Sequence, residues 1–367
     1  MAKKLVFVGG GHAHLTCISN IDEFIDLCVE VILISPSEYH YYSGMGPGLL
    51  GGIYEPHETR FHIKRITEDK GGKFIEDKVT QINPEEQLLI LKSGNHLSYD
   101  LVSFNVGSFI PNENIRIKDS LIVPVKPINE LLDARKKINN LGSSDNPHFC
   151  IIGGGPAGVE LAGNLWRRCS ELKVNCELTL VSDTKLLYKY PEKVRTYALK
   201  SLNEREVEIL EEIKVKSIEN NIIALENKRN FKAEMIFLAT GIKPRDVYNN
   251  STVPLSEDSA LLVNEYLQSI KYPNIFGGGD CIEFQETSLD KVGVYAVKEN
   301  PILFHNLKAF IQNKPLKKFG PQEKYMLILN MGNGKGILWK GNFVCKGRLA
   351  FWLKNYIDKR FVKKFQK

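Results

Sequence analysis

The sequence has no long apolar run, no closely spaced pair of cysteines and no cluster of residues with metal-ligand spacing. A membrane-spanning helix needs roughly 18 consecutive apolar residues, and no stretch of this chain approaches that length. The 7 cysteines are scattered without a CxxC motif, so we expect reduced thiols in a cytoplasmic protein. The N-terminal residues lead directly into a strand and a glycine-rich turn, so no cleavable signal peptide is predicted. We also expect no bound metal.

The net positive charge of the chain is confined to its C-terminal end. Residues 340–367 hold nine Lys and Arg against a single acid, Asp358, although the whole chain carries only +6. A basic excess that is confined to one end argues against a nucleic-acid binder and for one local basic surface.

Residues 347–366, within this basic end, predict an amphipathic helix. Its large apolar side chains are expected near one helical face, with the lysines mostly elsewhere. The apolar set is Leu349, Trp352, Leu353, Tyr356, Ile357, Phe361 and Phe365. Two interpretations remain open. Either the helix lies peripherally on anionic lipid at the inner face of the cell membrane, or it packs on the protein's own core or on a second subunit of a homodimer.

Two glycine-rich turns are the most informative feature of the chain. The first, VFVGGGHAH, contains Gly9 and Gly11, with His14 where a third glycine is usual. The second, CIIGGGPAGVELAG, contains Gly153, Gly155 and Gly158. Each turn follows an apolar strand-like run and opens a predicted helix, which lets a pyrophosphate approach the backbone at a helix N-terminus. The sequence therefore predicts two dinucleotide sites.

The order of the elements predicts an α/β fold with two Rossmann-like domains, the second inserted in the first. The first nucleotide-binding domain comprises residues 1–118 and resumes at 246–318. The second occupies residues 119–245. Residues 319–367 form a small C-terminal region that ends in the amphipathic helix.

Five segments, in this order, resemble the pyridine nucleotide–disulfide oxidoreductase superfamily: GGGHAH, SFNVGS, GGGPAGVELA, FLATGIKP and NIFGGGDC. Within it, the chain is most similar to the branch of type II NADH dehydrogenases and sulfide:quinone reductases. The segments YHYYSGMGPGLLGGIY and LKNYIDKRF resemble the flavoprotein domain that is fused to selenide, water dikinase. The resemblance implies an FAD-dependent oxidoreductase, with FAD in the discontinuous first domain and NAD(P)H as co-substrate in the second.

The resemblance also implies which residues hold the two nucleotides. The FAD set is Gly9, Gly11, His12, Ala13, Ser35, Gly107, Asp280, Val294 and Tyr295. The NAD(P) set is Gly153, Gly155, Gly158, Glu160, Ser182 and Gly241. An acid after the second strand of such a domain favours NAD and a base favours NADP, but Ser182 is followed by both Asp183 and Lys185. His12 and His14 either hydrogen-bond the FAD phosphates or replace the glycine that packs helix on strand, and both alternatives remain open.

Glu160 and Lys298 are the two candidate catalytic residues. Glu160 lies one turn into the nicotinamide helix, where a carboxylate can contact the cofactor and relay protons. The alternative is that Glu160 has no catalytic role and is simply an acid near the start of the helix, where the helix dipole favours negative charge. Lys298 replaces a glutamine motif that type II NADH dehydrogenases use around the quinone. Its helix is expected to begin near Gly293 and to be kinked or ended by Pro301.

The resemblance implies an NAD(P)H dehydrogenase that passes electrons to a small-molecule acceptor, with a membrane quinone favoured. Two alternatives remain: an oxidoreductase that acts on a sulfur or selenium species, and a non-turnover FAD-binding regulatory protein. Residues 39–56 contain no cysteine, which excludes a dithiol relay in that segment. Sulfide oxidation normally requires two cysteines that flank the flavin. Cys150 and Cys281 are the candidates, although small core residues are the favoured interpretation of both.

Overall fold

The computed structural model describes residues 2–366 apart from 112, 114, 143–145, 249 and 322–324. Its strands, β1 to β26 in chain order, lie at Lys3–Val8, Val29–Ser35, Tyr39–Tyr41, Arg60–His62, Lys73–Glu76, Val79–Asn83, Leu88–Leu91, His96–Ser98, Leu101–Phe104, Ser108–Phe109, Arg116–Lys118, Ile122–Pro124, His148–Ile152, Glu177–Val181, Glu208–Leu210, Val215–Glu219, Ile222–Leu225, Asn230–Lys232, Met235–Leu238, Lys243–Pro244, Leu261–Val263, Ile275–Gly277, Ile282–Phe284, Leu327–Asn330, Gly336–Lys340 and Phe343–Gly347. Its α-helices, α1 to α9, lie at Leu15–Ser19, Asp22–Ile25, Gly46–Leu50, Ile63–Asp69, Asn129–Asn139, Pro156–Leu172, Glu192–Asn203, Gly293–Ile311 and Arg348–Phe365. Short 3-10 turns lie at His12–His14, Ser43–Met45, Pro56–Glu58 and Gly279–Cys281.

The first parallel sheet has the strand order β22-β9-β1-β2-β5. Its central strand β1 is buried from Leu5 to Val8, as expected for a parallel sheet that is covered on both faces. Strand β22 comes from the late part of the chain and pairs with β9. Because the carboxyl ends of parallel strands meet at one edge, the segments that follow β1, β2, β9 and β22 converge there. These segments carry the predicted FAD residues Gly9, Gly11, Gly107 and Asp280, and β2 ends at Ser35.

The second parallel sheet has the strand order β12-β19-β13-β14-β15. The segments that follow β13, β14 and β19 begin at Gly153, Ser182 and Ala239, so the predicted NAD(P) residues gather at the carboxyl edge of this sheet. Two further sheets lie outside the parallel ones: β6-β7-β8 is antiparallel, and β11-β16-β17-β18 is mixed because β11 pairs in parallel with β16. The parallel sheets with their helices confirm the predicted α/β Rossmann-like class.

Helix α8 begins at Gly293, as predicted, and continues to Ile311 with Pro301 inside it. The helix end that the sequence allowed at Pro301 is therefore not present. Pro301 is exposed, whereas its neighbours Glu299 and Asn300 are buried. The buried face of α8 packs on the first glycine turn, and this packing holds the helix together across the missing backbone donor.

Helix α9 packs against the antiparallel sheet β24-β25-β26 and does not present a single apolar face. Leu349, Trp352 and Tyr356 are 83%, 62% and 50% exposed, whereas Phe361 and Phe365 pack inward. The prediction that all these residues share one face is wrong, because about 100° per residue places Phe361 about 180° from Trp352. Among the described residues, no helix combines the length and apolar character needed to cross a membrane.

Candidate functional site

The first glycine turn joins β1 to the helical segment that begins at His12. Gly9 has φ +85°, and a Cβ there would lie 2.5 Å from the carbonyl oxygen of Asn105. A Cβ on Gly11 would collide with the Asn105 side chain, so this turn requires glycine at both positions. Among the described residues, no acceptor receives the amides of Gly10, Gly11 and His12. Three free amides before a helical segment fit a pyrophosphate group.

Asn105 lies beneath this turn and ties three segments together. Its Oδ1 accepts a hydrogen bond from the Ala13 amide at 3.3 Å, and its Nδ2 donates to the carbonyl oxygen of Gly278. The Ala13 amide is thus used within the protein rather than left for a ligand. Asn105 is absent from the residues predicted from the sequence, although it is the asparagine of the SFNVGS segment directly after β9.

His14 takes the place of the glycine that packs helix on strand. Its ring is fully buried, with Nδ1 2.6 Å from the carbonyl oxygen of Gly9 and Nε2 2.8 Å from the Ser103 hydroxyl. Burial lowers the pKa of His14 to about 4, so the imidazole stays neutral. Of the two alternatives, the structure supports the packing role for His14.

His12 lies on the opposite side of the turn, in an aromatic cluster. Its Nδ1 is 3.3 Å from Nε2 of His40, and its ring contacts Tyr42 and Phe361 with centroid separations of 5.2 and 6.1 Å. Burial lowers the pKa of His12 to about 3. Its Nε2 is buried without a hydrogen-bond partner among the described residues, which leaves it available to a ligand in the turn.

Asp280 forms a largely buried ion pair at the same edge of the sheet. Its Oδ2 accepts hydrogen bonds from Lys126 Nζ at 2.6 Å and from the Ser108 hydroxyl at 2.7 Å. Lys126 follows β12 of the second sheet, so this pair joins the two sheets. Asp280 is predicted from the sequence but Lys126 is not, because their contact depends on how distant segments pack.

Glu299 of α8 supports the Asp280 loop from behind. Its Oε2 accepts a hydrogen bond from the Gly279 amide at 2.5 Å, and burial raises the pKa of Glu299 to about 7. Tyr295 and Glu299 line a small cavity beside Asp280. Val294 is half-buried in the first turn of the same helix, as is Lys298 further along it, and a catalytic role for Lys298 stays a prediction.

The second glycine turn joins β13 to α6. Gly153 has φ +126°, and a Cβ there would collide with the backbone that follows β19. A Cβ on Gly158 would collide with the Gly153 carbonyl oxygen, whereas one on Gly155 would meet no atom within 4 Å. Among the described residues, the amides of Gly154, Gly155 and Ala157 find no acceptor. This turn therefore combines open space with free amides at the N-terminus of a long helix.

Two further loops border the open space in front of α6. Gly241, with φ +106°, also has no atom within 4 Å of a Cβ position. Ser182 is buried, and its hydroxyl accepts a hydrogen bond from the Thr184 amide at 3.3 Å. Asp183 and Lys185 are both exposed beyond it, so one acid and one base border the same space.

Glu160 belongs to a group of charged side chains between α6 and the C-terminal region. Its Oε1 accepts a hydrogen bond from the Asn330 amide at 2.7 Å. Lys354 of α9 donates to the Gly44 carbonyl oxygen at 2.9 Å and lies 3.0 Å from Oδ2 of Asp358. Burial raises the pKa of Glu160 to about 7, although Lys354 opposes that effect.

The same group extends to the tyrosine-rich loop. Asp358 is only 5% exposed, and burial raises its pKa although Lys354 and a hydrogen bond from Tyr42 oppose this. Burial acts to lower the pKa of Lys354, but Asp358 and Glu160 outweigh it and raise that pKa. Two carboxyl groups around one ammonium are electrically neutral when they share one proton. The sequence analysis identified Glu160 alone, because its partners come from α9 and the loop before α3.

Cys150 and Cys281 are buried core residues. Cys150 lies inside β13, and Cys281 directs its thiol to the carbonyl oxygens of Phe104 and Gly278. Burial raises the pKa of Cys281 to about 11 and also raises that of Cys150. Neutral, enclosed thiols of this kind are poor nucleophiles.

Residues 3–305 match the family model of the pyridine nucleotide-disulphide oxidoreductases. A probable NADH dehydrogenase from Dictyostelium discoideum is 22% identical over 398 residues, which cover 97% of this chain and 85% of that protein. A mitochondrial sulfide:quinone oxidoreductase from the same organism is 25% identical over 322 residues, which cover 83% and 70%. Among solved structures, NDH2 from Plasmodium falciparum in complex with NADH has a TM-score of 0.83 at 18% identity, covering 100% of both chains.

Proposed function

The chain belongs to the pyridine nucleotide-disulphide oxidoreductase family, and we propose that within it the protein passes electrons from NAD(P)H to a quinone. Membership confirms the FAD-dependent oxidoreductase and the NAD(P)H co-substrate expected from the sequence. The quinone proposal rests on one observation: Glu160, Lys354 and Asp358 form a buried group that can hold a proton beside the loop of residues 39–56. A relative named for its use of quinone supports the same acceptor.

The two glycine turns fit the two nucleotides. Each presents three amides without an acceptor among the described residues, and anions bind to such groups at the start of a helical segment. FAD supplies the two-electron chemistry when bound, and the chain supplies binding, orientation and charge. The N-terminus of α8, at Gly293, adds partial positive charge near Val294 and Tyr295.

Quinone reduction requires a proton that the nicotinamide does not provide. A hydride carries one proton and two electrons, whereas a quinol has gained two protons and two electrons. A proton donor works best when its pKa is near the operating pH, and burial raises the pKa of Glu160 to about 7. Lys354 attracts this carboxyl and donates to the Gly44 carbonyl oxygen, so the group can hold the second proton beside that loop.

The exposed side of α9 suits the surface that a membrane quinone would cross. The rings of Trp352 and Tyr356 stack at 5.7 Å, and Arg360, Lys363 and Lys364 are exposed further along the helix. Aromatic rings beside basic side chains favour an anionic lipid interface. Lys354 and Asp358 lie on the buried side of the same helix, so about one helix diameter, roughly 10 Å, separates the two surfaces.

Anaerobic titration of the FAD-loaded protein, first with NADH or NADPH and then with a short-chain quinone, tests the proposal. We expect the nicotinamide to bleach the flavin absorbance and the quinone to restore it. Glu160→Gln should keep the bleaching but slow the return of absorbance, since a general acid contributes on the order of 10²–10⁴-fold. Glu177→Gln, at an exposed glutamate of the second sheet, is the matched control.

Bleaching by sulfide or selenide, but not by either nicotinamide, would contradict the proposal and favour the sulfur or selenium alternative. A flavin that NADH reduces but no quinone reoxidises would contradict the quinone step alone. Lys298→Gln in the same assay measures whether Lys298 contributes to that step.

A further inference from the structure

Cys169 and Cys176 meet at the edge of the second sheet that lies opposite its nucleotide turn. Cys169 is in the last turn of α6, and Cys176 directly precedes β14. The glycine turn is at the other end of α6, and Ser182 is at the other end of β14. Neither cysteine therefore belongs to the nucleotide sites.

The backbone after α6 brings the two thiols together. Helix α6 ends at Leu172, and Lys173 adopts a left-handed conformation with φ +55° that reverses the chain. The Val174 amide then donates to the Cys169 carbonyl oxygen at 2.9 Å, which returns the chain to the last helical turn. Cys176 packs against the core cluster that contains Cys169, and both residues line the same cleft.

The two thiols differ in their access to solvent. Cys169 is 1% exposed, whereas Cys176 is half-buried. Both line an open cleft of about 480 Å³, together with Trp166, Ser170 and Arg205. The neighbouring Cys169 thiol lowers the pKa of Cys176, while Cys176 raises the pKa of Cys169, so the reachable sulfur is the better nucleophile.

We propose that Cys169 and Cys176 form a site of reversible oxidation by hydroperoxides, at which Cys176 reacts first and Cys169 closes a disulfide. The Cys176 thiolate attacks one oxygen of hydrogen peroxide, the O–O bond breaks, and the released hydroxide takes a proton to become water. The resulting sulfenic acid is attacked by the Cys169 sulfur, and a second water leaves as the S–S bond forms. Two thiols thus lose two protons and two electrons to one peroxide, which becomes two waters.

The disulfide would fasten the C-terminal end of α6 to the start of β14. The segment 173–175 would then be closed into a short loop, which restricts its local opening. We therefore expect slower amide exchange in this segment after oxidation, and a return to the original rate after reduction with dithiothreitol.

Peptide mass mapping of the full-length, FAD-loaded protein tests the site. The protein is treated with hydrogen peroxide, its remaining thiols are alkylated, and disulfide-linked peptides are sought without reduction. We expect a Cys169–Cys176 linked pair that dithiothreitol removes. Cys28 is exposed, so Cys28→Ser is the matched control and should leave the linked pair unchanged.

Two variants distinguish the proposed order of steps. Cys176→Ser should abolish the disulfide and leave Cys169 as a free thiol, while Cys169→Ser should leave a sulfenic acid at Cys176 that dimedone traps. If peroxide oxidises Cys28 while Cys169 and Cys176 both remain thiols that the alkylating reagent labels, the proposal is overturned. A dimedone adduct on Cys169 rather than Cys176 would overturn the order of attack.

Discussion

Replacing Glu160 by Gln should stabilise the protein at alkaline pH, although it removes the proposed proton donor. The Gln carbonyl can accept the hydrogen bond that the Asn330 amide donates to Glu160 at 2.7 Å. Burial raises the pKa of Glu160 from 4.5 to about 7. This rise in the pKa corresponds to roughly 3 kcal/mol between the two protonation states, and it includes the attraction of Lys354.

The sign follows from proton binding. Between about pH 4.5 and 7 the folded protein holds more protons at Glu160 than the unfolded chain does, so the free energy of unfolding falls as pH rises. The loss is complete above about pH 7. Because Gln does not ionise, the variant should match the wild type near about pH 4 and exceed it by up to roughly 3 kcal/mol near about pH 8.

Urea unfolding of both FAD-loaded proteins across this pH range, followed by circular dichroism, measures the difference. Glu299→Gln should behave similarly, because burial also raises the pKa of Glu299 to about 7 and its partner is again a backbone amide. Glu177→Gln, at an exposed side chain, should change little. A stability difference between Glu160→Gln and the wild type that does not vary with pH would refute the reasoning. A variant that is less stable than the wild type at high pH would show instead that ionised Glu160 stabilises the fold.

Four other substitutions, one of them with a matched control, separate binding, stability and surface roles. Gly155→Ala should fold normally, since φ is −77° and the added Cβ meets open space, but it should raise the KM for the nicotinamide in initial-rate assays. Gly153→Ala should instead lower the free energy of unfolding by on the order of 2 kcal/mol, because Gly153 has a positive φ. His14→Leu removes two buried hydrogen bonds and should cost about 2–4 kcal/mol in urea unfolding, with a neutral result contradicting the packing role. Trp352→Ser should reduce the fraction of protein that sediments with phosphatidylserine vesicles. Tyr188→Ser, at a side chain that is also 62% exposed, should not reduce it. Equal reductions in the two variants would count against a lipid surface at α9.

The two glycine turns could be predicted from the sequence because their pattern is local. A strand, a glycine turn and a helix start follow one another within a few residues, and each glycine has a steric reason for its position. Asp280 could be placed for the same reason, since it follows a short apolar strand and a run of glycines. The fold class followed from the repetition of this unit along the chain.

The partners of these residues could not be predicted, because distant segments supply them. Lys126 reaches Asp280 from the end of a strand in the other sheet, and Asn105 fills the space that Gly11 leaves free. His14 illustrates a different limit. Its type allowed a phosphate contact or a packing role, and only the Ser103 hydroxyl on a neighbouring strand favours the packing role.

The position of α9 predicts that removing the helix would abolish more than a lipid contact. Lys354 and Asp358 would be lost from the proton-holding group, and Phe361 would no longer cover His12. The ion pair between Lys359 and Glu58, at 2.9 Å, would also disappear. We therefore expect a chain without α9 to retain less FAD, measured as flavin absorbance per polypeptide after gel filtration. Full retention would show that α9 is only peripheral to the site. Reduced retention would mean that vesicle binding by a truncated chain reports on folding, so a lipid contact must be tested by substitutions on the exposed side of an intact helix.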